Sequence, residues 1–195
     1  MIILGITGPT GSGKTTVSKI LEEYGIKVID TDITAREIVE PGKPALSELS
    51  QCFGAGILLK DGTLNRKALA RIAFSDSESL KKLNNITHKY ISQSVRDTIK
   101  SYNGDIIGID GAALIESGIA GECTRVISVL ADREIRMQRI MLRDSLSESD
   151  AELRISSQKN NAFYIENSDY IVYNNGTEAL HEQLDKIITE LRSMV

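Results

Sequence analysis

Apolar positions along this chain fall into two alternating kinds of run. Short, largely apolar runs occupy 2–7, 27–30, 105–110, 125–131 and 169–174, each bounded by Gly, Asp or Asn. Runs of that kind are expected of strands buried on both faces. Between them, helical patterns cover 13–23, 66–74, 77–101, 132–143 and 177–193. Strands alternating with helices predict an α/β fold with a parallel sheet covered on both sides.

Two stretches break this rhythm. Residues 31–101 are mainly helical yet lie between the second and third strands, and 143–167 are polar and Ser/Asn-rich between the fourth and fifth. Insertions at those places can close over ligands bound at the strand ends. With no internal repeat, low-complexity tract or Pro/Gly linker, one domain with two additions is the expectation.

The chain has 195 residues, enough for one domain with a real core. Its hydrophobic content of 41% and charged content of 26% are ordinary for a globular protein. A formal charge of -4 argues against a nucleic-acid binder. No apolar run approaches a membrane span, and the first residues carry no basic segment of secretory type. Cys52 and Cys123 lack metal-type spacing and make no disulfide framework. A cytoplasmic protein, with no nucleic-acid or membrane partner, is expected.

The first candidate chemistry is "GITGPTGSGKTT", residues 5–16. Gly8, Gly13, Lys14 and Thr15 fit G-x-x-x-x-G-K-[ST] between a strand and a helix. The glycines let the backbone curl so that N–H groups point at phosphate oxygens. The helix N-terminus adds its dipole, and Lys14 a point charge for β and γ phosphates. Thr15 places a hydroxyl on Mg²⁺ in such loops. Gly11, Ser12 and Thr16 complete the expected ATP-binding set in the loop. Pro9 brings no N–H, but it stands at the start of the loop, before the main donors.

What the phosphate is for must come from elsewhere. The chain carries no D-x-x-G after a strand, no N-K-x-D and no L-S-G-G-Q, so a GTPase switch or ABC-type motor is not indicated. The second strand instead ends in "VIDTDITARE". If this stretch stays extended, Asp30 and Asp32 share a face at the strand ends, where a ligand crevice opens. A carboxylate there can take the proton of an acceptor hydroxyl attacking a γ-phosphate. The alternative for Asp30 is a helix cap. In "DREIRMQRIMLRD", Arg136, Arg139 and Arg143 share one helical face, a match for phosphate oxygens. The alternative is a solvated face paired with Asp132 and Glu134.

Together these motifs resemble the dephospho-coenzyme A kinase family over nearly the whole chain. "VIDTDITAREIVEPGKPAL" is similar to that family's D-x-D-x-x-A-R segment, "FGAGILLKDGTLNRKALARIAF" to the segment that follows, and "LNNITHKYI" to its L-N-x-I-x-H pattern. "RIMLRD" and Gln158 fall where its lid arginines and glutamine lie, and "SDYIVYNNGT" resembles its last strand and Asn-Gly turn. The resemblance implies a three-layer P-loop kinase fold with a five-stranded parallel sheet. It implies a core over 1–30, 102–142 and 168–195, a helical substrate-binding insertion over 31–101 and a lid over 143–167. The implied reaction moves the γ-phosphate of ATP, with Mg²⁺, to the ribose 3′-hydroxyl of dephospho-CoA. Lys14, Asp32 and Arg143 are the implied catalytic residues. Arg139, Arg143 and Asn175 join the ATP site, and Asp32, Arg36, Asn84, His88, Asp110 and Glu116 face the acceptor. A monomer or weak homo-oligomer is expected.

The chain departs from the family pattern at one wall of the acceptor pocket. Where D-x-P-L-L-F-E is usual it has "DGAALIE", with Ala112 and Ala113 in place of Pro and Leu. The family's His-Pro is here His88-Lys89. Shikimate- and gluconate-type kinases also carry D-T-D at the second strand, but with a short substrate segment and a G-G-G stretch that this chain lacks. A regulatory protein that binds ATP without transferring phosphate is the remaining alternative.

Overall fold

A computed structural model describes residues 1–176 and 180–195. The chain opens with β1 (Ile2–Thr7), α1 (Lys14–Glu23) and β2 (Lys27–Asp30). A helical stretch follows: α2 (Thr31–Glu37), α3 (Pro44–Phe53), α4 (Arg66–Ala73) and α5 (Ser77–Ser101). Next come β3 (Ile106–Asp110), β4 (Arg125–Leu130), α6 (Arg133–Asp144), α7 (Glu148–Ser156), α8 (Asn161–Glu166), β5 (Tyr170–Tyr173) and α9 (Leu180–Arg192). The expected start of the last helix at 177 lies outside the described residues.

The strands form the expected five-stranded parallel sheet in the order β2-β3-β1-β4-β5. β1 lies at its centre, with Ile2 opposite Ile106 of β3 and Leu4 opposite Arg125 of β4. β4 in turn sets Ile127 opposite Tyr170 of β5. Because β3 and β4 lie on opposite sides of β1, the loop after β1 emerges at the point where the strand order reverses. Ligands of open α/β sheets bind outside the carboxyl ends of the strands at such points.

Alternate β1 residues Ile2, Leu4 and Ile6 join Ile127 and Val129 of β4 in one apolar layer. Val17, Ile20 and Leu21 of α1 and Leu184, Ile188 and Leu191 of α9 belong to the same layer. Each such side chain, taken fully out of water, contributes about 1.5–3 kcal/mol. A smaller cluster of Ile140, Ala151 and Ile155 joins α6 to α7. The polar stretch 143–167 is therefore largely helical. α7 starts at Ser147, whose hydroxyl accepts from the N–H of Asp150, and α8 at Asn160, whose amide oxygen accepts from the N–H of Phe163.

The chain divides into two compact units, Met1–Ile29 with Asn103–Val195, and Asp30–Tyr102. In the second, α2, α3 and α4 each pack against α5. Its buried apolar residues include Leu46, Leu49, Ile57, Leu69, Ile91 and Val95. Lys89 Nζ and Tyr90 OH both donate to Glu48 Oε2, at 2.7 Å each. The bond from Lys89, then that from Tyr90, lowers the pKa of Glu48. No helix among the described residues is long and apolar enough to cross a membrane.

Candidate active site

Between the end of β1 and the start of α1 the backbone makes turns that only glycine accepts without strain. Gly8 has φ +144°, and a Cβ on it would run into the carbonyl oxygen of Val129. Gly13 has φ +93°, and a Cβ there would collide with the amide nitrogen of Asn174. No side chain caps α1; the N–H of Thr16 turns back to the carbonyl of Gly13 at 3.0 Å, and the positive end of the helix dipole at this terminus favours an anion. Lys14 Nζ donates to the carbonyl of Gly8 at 2.8 Å, which draws the ammonium back over its own loop. Pro9 lacks a donor but supplies an acceptor, its carbonyl taking the N–H of Ser12 at 3.2 Å. Among the described residues, the buried hydroxyls of Thr7 and Ser12 have no hydrogen-bond partner.

Side chains from α6, from the turn after α7 and from the end of β5 hold this loop from outside. Arg136 Nε donates to the carbonyl of Thr10 at 2.9 Å. Arg139 Nη1 donates to the carbonyls of Gly11 and Ser12 at 3.2 and 3.3 Å, and its Nη2 to Asn174 Oδ1 at 3.3 Å. Asn174 Nδ2 donates to the carbonyl of Ser12 at 2.9 Å. Gln158 Oε1 accepts from the N–H of Thr10 at 3.0 Å and from Arg136 Nη2 at 3.2 Å. Arg143 Nη2 reaches Thr10 Oγ1 at 3.4 Å. Arg136 and Arg139 are thus turned onto the loop, while Arg143, further along the same face, is exposed and reaches it only at Thr10. Turned inward, loop carbonyls satisfy the guanidiniums of Arg136 and Arg139.

Arg143 is also forked onto its neighbour, with Nε and Nη2 each 2.8 Å from Asp144. Arg154 of α7 approaches the same carboxylate at 2.5 Å. The bond from Arg143 is the main cause holding Asp144 below the ordinary carboxylate range, and the same bond raises the pKa of Arg143. α6 then ends at Ser145 in the left-handed region, with φ 52°.

Asp110 stands at the end of β3, where its Oδ2 accepts from Ser18 Oγ at 2.7 Å. Ser18 is one helical turn beyond Thr15 on α1, and Thr15 is exposed. A hydroxyl and a carboxylate tied to one helix are hard oxygen donors that suit Mg²⁺. That ion keeps several waters and takes phosphate oxygens rather than a full protein cage.

Ala112, Ala113 and Glu116 line a cavity of about 470 Å³ with Ser157, Gln158, Lys159 and Tyr164. The small side chains that depart from the family pattern therefore face open space. Asn175, expected on the ATP side, accepts with Oδ1 from the N–H of Asp132 at 2.8 Å, at the head of α6. Asn174, only 6% exposed, is the neighbour that touches the loop, and the sequence reading missed it. The signal was a polar residue directly after an apolar strand, but the strand order alone reveals which loop it meets.

Asp32, Arg36, Asn84 and His88 lie in the helical unit. The extended reading of Asp30 and Asp32 fails. β2 ends at Asp30, and Asp32 sits in the first turn of α2. Asp30 is the cap, its Oδ1 accepting from the N–H groups of Asp32 and Ile33 at 2.7 and 3.0 Å. An acceptor at that N-cap satisfies two otherwise orphaned donors, which outweighs continuing a strand. Arg36 is one turn beyond Asp32 on the same short helix, and both are exposed. Asn84 and His88 are one turn apart on α5, which packs against α2. Burial lowers the pKa of His88, favouring the neutral ring.

A parallel sheet with a phosphate loop of three spaced glycines at its reversal point and arginines turned onto that loop defines a P-loop kinase. A family model described as "Dephospho-CoA kinase" matches residues 2–179. The "Dephospho-CoA kinase" of Corynebacterium jeikeium is 43% identical over 189 residues, covering 95% of this chain and 97% of its own. A crystal structure from Thermus thermophilus superposes with a TM-score of 0.85 at 30% identity, covering 97% of each chain. That of "Dephospho-CoA kinase from Campylobacter jejuni" gives 0.70 at 26%, covering 97% of this chain and 96% of its own. The chain belongs to the dephospho-CoA kinase family, enzymes that phosphorylate dephospho-CoA with ATP in coenzyme A synthesis. The shikimate-type and non-catalytic alternatives are set aside by that membership.

Proposed function

We propose that the family's reaction, transfer of the γ-phosphate of ATP to the ribose 3′-hydroxyl of dephospho-CoA, is carried in this chain by two groups of residues. On the nucleotide side, Gly8, Gly11, Ser12, Gly13, Thr15, Thr16 and the first-turn N–H groups of α1 receive the phosphates. Lys14 leaves the Gly8 carbonyl for the β and γ phosphates, and Arg139 and Arg143 neutralise charge on the group in transfer. Thr15 and Asp110 would hold Mg²⁺, and the ion would offset the negative charge of the phosphates. On the acceptor side, Asp32 orients the 3′-hydroxyl and takes its proton. Arg36, Asn84, His88 and Glu116 bind the rest of the acceptor; Asp110, expected on that side, is assigned to the metal instead because Ser18 ties it to α1 next to Thr15.

The observation that carries this reading is the loop itself: its carbonyls are engaged by Arg136, Arg139 and Asn174, and it runs into the N-terminus of α1, which no side chain caps and where an anion is favoured. With it go a helical acceptor-binding unit, a lid over 143–167, and a cytoplasmic enzyme acting as a monomer or weak homo-oligomer. The test offers ATP and Mg²⁺ with dephospho-CoA, shikimate, gluconate or nucleoside monophosphates in parallel. Turnover of dephospho-CoA alone is expected. Turnover of another acceptor in its place would overturn the reading.

A further inference from the structure

One residue of the loop is gripped through both of its backbone polar groups. The carbonyl of Thr10 accepts from Arg136 Nε at 2.9 Å, and its N–H donates to Gln158 Oε1 at 3.0 Å. The same Oε1 accepts from Arg136 Nη2 at 3.2 Å, which closes a ring of three hydrogen bonds. Two donors converging on one atom fix it as the amide oxygen. Arg136 is only 5% exposed, and no carboxylate pairs with it among the described residues. Its charge therefore rests on two carbonyl oxygens, so neither bond is readily exchanged for water. Gln158 follows the end of α7 and is half-buried, so one side chain links that segment to the phosphate loop.

We propose that Gln158 is a positioning residue for the nucleotide. Through Arg136 and the backbone of Thr10, its Oε1 holds the loop in the shape that receives ATP, and so ties loop geometry to the seating of the segment after α6. The inference rests on the reading that ATP phosphates bind this loop. The required chemistry is a single uncharged or anionic acceptor oxygen at this place, not the bulk of the side chain.

The full chain tests this with Gln158→Met, which keeps the length and loses the acceptor, and Gln158→Glu, which keeps an acceptor oxygen. The readouts are the Thr10 amide resonance in ¹⁵N spectra, ATP affinity by direct titration, and KM for each substrate. Gln158→Met is expected to shift the Thr10 amide, weaken ATP binding and raise its KM by about tenfold, and leave the dephospho-CoA KM within about twofold. Gln158→Glu should restore the amide position and recover much of the ATP affinity. Unchanged ATP affinity in Gln158→Met, equal loss for both substrates, or a Glu variant no better than Met would each overturn the inference. Titration with ATP reads the clamp even if dephospho-CoA is not turned over, so failure of the functional reading and failure of the clamp are separate results.

Discussion

Around the phosphate loop, the carbonyls of Thr10, Gly11 and Ser12 each receive a side-chain donor from Arg136, Arg139 or Asn174. Around Asp32, Arg36, Asn84 and His88, no hydrogen bond or ion pair within the helical unit engages any of the four side chains. The loop is shaped before ligand arrives, whereas the helical unit presents polar groups on its helices. Preorganised dipoles need no rearrangement when charge develops, which suits the transferring phosphate. Side chains unheld by neighbours can adapt to an extended acceptor, at the cost of ordering them on binding. Substitutions on the loop side should therefore move stability and ATP binding together. Those at exposed acceptor-side positions such as Asp32 should lower turnover while leaving the melt and ATP binding in place.

The largest effect is expected for Asp32→Asn. Loss of a general base lowers kcat by about 10²–10⁴-fold. Because Asp32 is exposed and its carboxylate caps nothing, the melting temperature and ATP affinity should hold. A near-normal kcat would remove Asp32 from the base role. Gly13→Ala tests the loop side. Its Cβ meets the Asn174 amide at a φ that disfavours alanine, so a loss of about 1–3 kcal/mol is expected. ATP titration should weaken in parallel with the melt; loss of one without the other would break the link between shape and binding.

Asn174→Ala is milder, because Ser12 keeps the donor from Arg139. About 1 kcal/mol of stability should be lost in denaturant melts, with a few-fold rise in the KM for ATP. The smallest effect concerns His88. Its folded-state pKa is lowered by burial, so below the unfolded value of 6.5 the unfolded chain binds more protons than the folded one. Stability contributed by the neutral ring is complete above that pH and is lost as pH falls toward the folded value. In urea unfolding at pH 7.5 and 5.5, His88→Gln should show a smaller acid loss than the parent. An equal or larger loss would contradict the direction.

The strands were the most legible part of the fold. Continuous apolar runs closed by Gly, Asp or Asn can be buried only between two helical layers, and β1, β2 and α5 have the bounds that their patterns predict. The short helices were harder. α2 begins where "VIDTD" still reads as strand, and what decides is Asp30 turning its carboxylate onto two N–H groups. α7 and α8 hide in a polar stretch because few of their positions are apolar, while their Ser147 and Asn160 caps look like ordinary loop residues. At the site, the spacing of Arg136, Arg139 and Arg143 reveals a shared face. It does not reveal that the face meets carbonyls of a loop more than a hundred residues earlier. Asn174 and Gln158 act through register and packing, which no local pattern encodes.

The central place of β1 also sets a schedule for synthesis. Its first partner, β3, begins at Ile106, and Leu4 waits for Arg125. At roughly 5–20 residues per second, that second neighbour leaves the ribosome on the order of 6–24 s after Leu4. The helical unit has all its own residues in one contiguous stretch and needs neither strand. For the first part of its life, then, the nascent chain carries its most apolar strand without a sheet to enter, beside a segment already able to collapse on itself. Pulse proteolysis of chains truncated after residue 103 and after residue 130 reads this order. Cleavage within residues 1–7 should fade only in the longer chain.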